Sequence, residues 1–148
     1  MSIEICFELR LRFQRATHSV DPHIPSSPFS PRDTVIVLLT NDLMFQSKVS
    51  GAVRNAGKQL IVDRSVERVI ERAEANAVKL VLIDLSLQTL DLEKAIRSLH
   101  DEFGNASVLA FGAHVDVARL DEASRAGADS VLTRGQFDRD LNEIVQSV

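Results

Sequence analysis

The polar residues best placed for chemistry in this chain follow short apolar segments. Asp84 ends the segment KLVLID, Asp42 comes three residues after TVIVLL, and Arg134 comes directly after SVLT. Carboxylate oxygens bind hard cations such as Mg2+, and a guanidinium can pair with a carboxylate through two parallel hydrogen bonds. Both carboxylates also have structural interpretations, because Asp84 can cap a turn and Asp42 suits the first turn of a helix.

The elements that must position these residues alternate between strand and helix from Asp33 onward. Apolar, often β-branched runs predict strands at 34–39, 59–62, 79–84, 107–111 and 130–133. Helical composition and spacing predict helices at 42–56, 65–73, 91–99, 115–126 and 137–145. Strands that are each followed by a helix indicate a parallel sheet with helices on both faces. Right-handed crossovers then favour an α/β, flavodoxin-like, doubly wound sheet of five strands in the order 2-1-3-4-5.

In a sheet of this kind, ligands bind where the carboxyl ends of the strands meet the loops. The predicted carboxyl edge collects residues 40–43, 64–65, 84–86, 112–114 and 134–136. We therefore expect Asp42, Asp84 and Arg134 to lie at one edge of the sheet. His114 also falls there, but a lone loop histidine is weak evidence for a base or a sensor.

Residues 33–148 resemble the receiver domain of bacterial two-component response regulators. Three segments carry the resemblance: LIDLS at 82–86, SVLAFGA at 107–113 and RAGADSVLTRGQF at 125–137. It implies an acidic pair after the first strand for Mg2+ and a phosphoryl-accepting aspartate after the third. A Ser or Thr after the fourth strand and a Lys after the fifth would contact the phosphate. Asp84 matches the acceptor, and Ser86 matches the position whose carbonyl would coordinate the metal.

The other positions of that pattern carry residues with different chemistry. They are Thr40 and Asn41 at the acidic pair, Gly112 at the Ser/Thr position, Val131 at the aromatic position and Arg134 at the Lys position. Asp42 lies one residue out of register with the acidic pair. One carboxylate and one amide have lost about one formal charge of two, so only a weak Mg2+ site at Asp42 and Asp84 is expected.

These departures favour a degenerate receiver, or pseudo-receiver, that is not an enzyme and needs no cofactor. Gly112 has no hydroxyl for a phosphate, and Arg134 presents a planar fork that can hold Asp84 as a bidentate pair. The alternative is an active receiver, phosphorylated on Asp84 by a histidine kinase, in which Asn41 and Asp42 supply a weak Mg2+ site. A small-molecule sensor that uses the same crevice is a third interpretation.

Residues 1–32 are predicted to form a separate segment. Six apolar residues alternate with polar ones and predict a strand with one apolar face: Ile3, Ile5, Phe7, Leu9, Leu11 and Phe13. A linker rich in proline and serine follows, and it contains all four prolines of the chain. Since exposed apolar side chains are unfavourable by about 1.5–3 kcal/mol each, we expect residues 3–13 to mediate association, as a homodimer. The alternative is a translated upstream segment without a role.

The composition is that of an ordinary globular domain. The chain has 148 residues, of which 45% are hydrophobic and 26% charged, and its net charge of −4 argues against nucleic acid or an anionic membrane surface as partner. No apolar run approaches the ~20 residues of a membrane span, and no signal peptide is recognisable, so we expect a cytoplasmic protein. Since no output domain follows the receiver-like region, its partner should be another protein, a histidine kinase or an output protein, on the fourth and fifth helices.

Overall fold

A computed structural model of the chain describes residues 34–148, so the predicted strand at 3–13, its linker and the expected self-association lie outside the described residues. The strands of the described part are β1 (Val35–Leu39), β2 (Gln59–Asp63), β3 (Val78–Asp84), β4 (Ser107–Gly112) and β5 (Ser130–Thr133). The helices are α1 (Leu43–Asn55), α2 (Val66–Arg72), α3 (Leu92–Glu102), α4 (Val117–Arg125) and α5 (Arg134–Gln146). None of these helices is long and apolar enough to cross a lipid bilayer.

The strands form one parallel sheet in the order β2-β1-β3-β4-β5, which confirms the predicted doubly wound α/β architecture. β3 is the central strand, and Leu82 pairs with Leu38 of β1 and with Leu109 of β4. Asp84, the last residue of β3, pairs with Phe111 in the same register. The predicted acceptor position therefore lies at the carboxyl end of the central strand.

Two apolar layers cover the sheet, one on each face. On one face, residues of β1 and β3 pack with α2, α3 and α4, as in the cluster that contains Val37, Ile83 and Ile96. On the other face, the alternate residues of the same strands pack with α1 and α5, in the cluster that contains Leu38 and Phe137. β1 is buried along its whole length. Burial on both faces explains why such strands are continuous apolar runs in the sequence.

Three phenylalanines join α1, β4 and α5 near the carboxyl edge. The rings of Phe111 and Phe137 are stacked with centroids 4.2 Å apart, and Phe45 lies 4.9 Å from Phe111 and 5.5 Å from Phe137. Phe111 and Phe137 are fully buried. Such aromatic contacts stabilise a fold beyond the apolar area that they bury.

The boundaries of two elements differ from the sequence prediction in ways that affect the carboxyl edge. α5 begins at Arg134 and not at Phe137, because the Thr133 hydroxyl accepts from the Gln136 N–H while the Gln136 side chain accepts from the Thr133 N–H. This capping box makes Arg134 the first helical residue. Gly112, expected in a loop, is the last residue of β4.

We expect Phe137→Ala to lower the free energy of unfolding by about 3–5 kcal/mol, because it leaves a cavity between α1 and β4. Phe137→Leu keeps most of the apolar volume and should lose less, about 1.5 kcal/mol or below. Urea denaturation of both variants, followed by circular dichroism, measures the difference. Equal losses for the two variants would contradict the role assigned to the stacked ring.

Candidate functional site

The carboxylate of Asp84 lies at the centre of the carboxyl edge and is fully buried. Its Oδ2 accepts a hydrogen bond from the Thr40 hydroxyl at 2.7 Å. Its Oδ1 accepts from the backbone N–H of Ser86 at 2.9 Å. A buried carboxylate needs donors of this kind, and it also needs a cation, because an unpaired charge in the interior is strongly unfavourable.

Arg134 supplies that cation and binds two carboxylates at once. Its Nη2 lies 3.2 Å from Asp84 Oδ1 and 3.4 Å from Asp84 Oδ2. Its Nη1 lies 3.5 Å from Asp42 Oδ2. The Arg134–Asp84 contact expected from the sequence is therefore present, but as a bridge and not as two parallel bonds to one carboxylate. The second nitrogen is directed to Asp42 because that carboxylate lies on the neighbouring loop.

The position of the guanidinium follows from two elements. The capping box places Arg134 at the start of α5, and its guanidinium carbon lies 5.0 Å from the ring centroid of Phe45 on α1. A guanidinium over an aromatic face is attracted by the ring quadrupole. The side chain of Arg134 remains 38% exposed, so water screens its ion pairs in part.

Asp42 has a structural role at the start of α1. Its Oδ1 accepts from the backbone N–H groups of Met44 and Phe45, at 3.0 and 3.1 Å, and so forms the N-cap of the helix. Its own N–H donates to the Thr40 hydroxyl oxygen at 3.0 Å. Asp42 is therefore the capping residue before α1, and not a carboxylate within its first turn as expected from the sequence. Asn41, between the two, is exposed.

The space beside Gly112, which has no side chain, is occupied by the side chain of Leu85. A Cβ at this position would lie 3.0 Å from Leu85 Cβ and 3.1 Å from Leu85 Cδ1. Leu85 is buried and follows Asp84 directly. The place where the resemblance implies a phosphate-binding hydroxyl is thus occupied by an apolar side chain. Nothing in the local sequence around Gly112 indicates this packing.

The remaining predicted positions lie around this centre. Ser86 is exposed, and its backbone N–H is the group that reaches Asp84. Val131 is half-buried and packs against the apolar layer that contains α2, α3 and α4. His114 is exposed in the loop after β4. At the end of β2, burial raises the pKa of the Asp63 carboxyl. Hydrogen bonds from the Arg64 and Ser65 N–H groups, the charge of Arg68 and a hydrogen bond from Arg72 together outweigh burial, so the pKa is lowered overall.

A cleft of about 280 Å³ opens beside Asp84. Its walls include Ser86, Gly112, Asp116, Arg119 and Arg134. Arg119, on α4, is a residue of this edge that sequence reasoning missed. Its side chain donates to backbone carbonyls of the loop that follows Asp84. No motif or spacing in the sequence distinguishes it from the other arginines of the helices.

The carboxylate oxygens at which a weak Mg2+ site is expected are engaged within the protein. Every carboxylate oxygen of Asp42 and Asp84 accepts at least one hydrogen bond from the protein, and three of these four oxygens contact Arg134. Magnesium prefers compact octahedral coordination by oxygen ligands, so its binding here would compete with the contacts of Arg134. Among residues 34–148, no group of three or more His, Cys, Asp or Glu side chains is arranged to hold a metal ion. The guanidinium of Arg134 contacts both carboxylates of the expected weak Mg2+ site.

Comparisons with known proteins identify the fold. No protein family and no curated protein matches the sequence. Among solved structures, a response regulator from Thermotoga maritima is similar, with a TM-score of 0.61 and 19% identity over 78% of this chain and 99% of that one. The signal receiver domain of an HD domain-containing protein from Pseudomonas fluorescens has a TM-score of 0.65 and 14% identity, over 80% and 88% of the two chains.

A third similar structure contains a partner. It is the receiver domain of a Saccharomyces cerevisiae response regulator, crystallised with a histidine phosphotransfer signalling protein. Its TM-score is 0.55 and its identity 15%, over 69% of this chain and 79% of that one. Residues 34–148 therefore have the receiver fold, as the sequence resemblance implied.

Substitutions of two glycines test the packing at the end of β4. We expect Gly112→Ala to lower the free energy of unfolding by about 1–3 kcal/mol, because the new methyl group crowds Leu85. Gly51→Ala is the matched control: its Cβ meets nothing within 4 Å, and Gly51 lies inside α1, so it should stabilise by about 0.5–1 kcal/mol. Chemical denaturation measures both. A neutral Gly112→Ala would show that Leu85 moves aside freely.

Removal of the cation tests the ion-pair bridge. Arg134→Met leaves the buried Asp84 carboxylate without its charge partner, and we expect a loss of about 1–3 kcal/mol, less than for a fully buried pair because Arg134 is partly exposed. Arg139→Met removes a charge from the same helix, where Arg139 pairs with Asp140 at the surface, and should change stability by about 0.5 kcal/mol or less. Urea denaturation at neutral pH compares them, and equal losses would argue against the bridge.

Proposed function

We propose that this chain is a receiver-like signalling module that acts through protein–protein contacts and does not transfer a phosphoryl group. The observation that carries the proposal is the bridge from Arg134 to Asp84 and Asp42. In this arrangement the charge of the acceptor-equivalent aspartate is balanced within the protein. The site then has a single stable state and does not depend on Mg2+ or phosphate.

The chemistry of phosphoryl transfer supports this proposal. An aspartate that accepts a phosphoryl group must present a free oxygen as the nucleophile, with cations placed where charge develops on the phosphoryl oxygens. Both oxygens of Asp84 are engaged, by Thr40, Ser86 and Arg134. Attack would require Arg134 to leave the buried carboxylate, and Leu85 fills the space beside Gly112 where a hydroxyl would bind the product.

Exposed apolar side chains near the carboxyl edge support a protein partner. Leu43 and Met44, in the first turn of α1, are 77% and 85% exposed. Val115 and Val117, at the start of α4, are 77% and 61% exposed. Apolar patches at a surface often mark protein contacts, and we propose this role for each of the two pairs. We propose as partner a histidine kinase, a histidine phosphotransfer protein like the one bound by the yeast receiver, or an output protein.

One observation favours the alternative, an active receiver. Asp84 stands at the end of the central strand, as a phosphoacceptor would, and Asp42 shares a cation with it. Displacement of Arg134 by Mg2+ would then expose a nucleophile. The two functions differ in a single measurable product, the aspartyl phosphate on Asp84.

Incubation of the full chain with acetyl phosphate and Mg2+ separates the two. We expect no mass increase of about 80 Da, the mass of one phosphoryl group, because Arg134 blocks both Asp84 and the cation position. Intact-mass spectrometry is the measurement, and an active receiver domain treated in parallel shows that the reagents work. An adduct on the wild-type chain that is absent from Asp84→Asn would establish the active receiver instead.

A further inference from the structure

The loop between β3 and α3 is held by a second arginine, Arg119 of α4. Its Nη2 donates to the carbonyl oxygens of Leu87 and Leu90, at 2.8 and 2.9 Å, and its Nε to that of Leu85 at 3.4 Å. Its Nη1 contacts Glu122 at 3.0 Å. Three nitrogens of one guanidinium are therefore engaged, mainly by backbone groups of one short loop.

These contacts indicate that Arg119 positions the loop after β3 relative to α4. The side chain of Arg119 is only 11% exposed, although it carries a full charge. Hydrogen bonds from a charged donor are about twice as strong as those between neutral groups. The loop carbonyls belong to residues that start immediately after Asp84, while Arg119 lies in the first turn of α4. The contacts thus connect the acceptor-equivalent position to α4 through backbone atoms.

We infer that Arg119 is a latch, which means that its guanidinium fixes the loop at residues 85–90 against α4. The first turn of α4, with Val117 and the preceding Val115, is then kept in one position relative to this loop. The Asp84 side of the loop is already held by Arg134, and Leu85 is wedged against Gly112. Arg119 adds a further restraint through the carbonyl oxygens of Leu85, Leu87 and Leu90. The position of the first turn of α4 relative to this loop is then set by the Arg119 side chain.

If Arg119 holds this loop, its loss should weaken particular backbone hydrogen bonds near it and not the whole domain. The N–H of Leu87 donates to the Asp84 carbonyl, and that of Leu90 donates to the Leu87 carbonyl, in turns that Arg119 supports. The N–H of Leu120 donates to the Asp116 carbonyl in the first turn of α4. Loss of the guanidinium should open these three hydrogen bonds more often, while the central strands stay closed.

Hydrogen exchange of the full chain, followed residue by residue by NMR, tests this inference. In Arg119→Met we expect exchange at Leu87, Leu90 and Leu120 to become about tenfold faster or more, with unchanged rates at Val37 and Leu82 in the central strands. Arg125→Met is the matched control, because it removes the same charge from the same helix at a side chain that is 83% exposed. It should leave all five rates unchanged.

If Arg119→Met does not fold, a second variant provides the test. Arg119→Lys keeps the charge but has one nitrogen in place of the planar fork, so the same amides should exchange faster, by a smaller factor. Unchanged rates at Leu87 and Leu90, or a uniform rise across the domain, would overturn the latch. Either result leaves the proposed function untouched, because that function is decided by the mass of Asp84 after acetyl phosphate treatment.

Discussion

The buried carboxylate of Asp84 is the constraint on which the carboxyl edge depends. It ends the central strand, where both faces of the sheet are covered, and no part of it reaches solvent. A charge in that position is tolerated only when donors and a cation surround it. Thr40, Ser86 and Arg134 meet that requirement from three different segments of the chain.

This requirement joins loops that the fold alone would leave independent. Thr40 follows β1, Ser86 follows β3, and Arg134 follows β5. Their bonds to one carboxylate therefore connect the ends of three strands at the carboxyl edge of the sheet. The bridge to Asp42 adds the N-cap of α1 to the same network. Networks of this kind rigidify a structure when every member has a partner. Among the described residues, no buried side-chain nitrogen or oxygen lacks a hydrogen-bond partner.

The fold and the side chains at its carboxyl edge are determined by different parts of the sequence. Receiver domains with 19% identity or less superimpose on the sheet and helices, because the two apolar layers require only suitable patterns of burial. The chemistry of the edge is set by a few side chains that those layers do not constrain. In this chain a guanidinium stands between the carboxylates, and a leucine closes the space beside Gly112. Function has to be argued from those side chains and not from the fold.

Patterns local in the sequence determined the elements and the order of the strands. Apolar runs predicted every strand of residues 34–148, and glycines with positive φ at 57 and 127 follow α1 and α4. The topology of such a sheet brings strand ends together, so the proximity of Asp84 and Arg134 could also be predicted. The predicted start of α5 is three residues late, because the capping box of Thr133 and Gln136 begins the helix at Arg134.

The tertiary structure alone decided how the side chains share their contacts. Asp42 and Arg134 are separated by 92 positions, and whether the guanidinium grips one carboxylate or bridges two depends on rotamers and on the ring of Phe45 beneath it. The packing of Leu85 on Gly112 and the bonds of Arg119 to loop carbonyls are equally non-local. The spacing of apolar residues in the sequence indicates which face of a helix or strand is buried. It does not record distances of a few ångströms between residues on different elements, and those distances determine the chemistry of this edge.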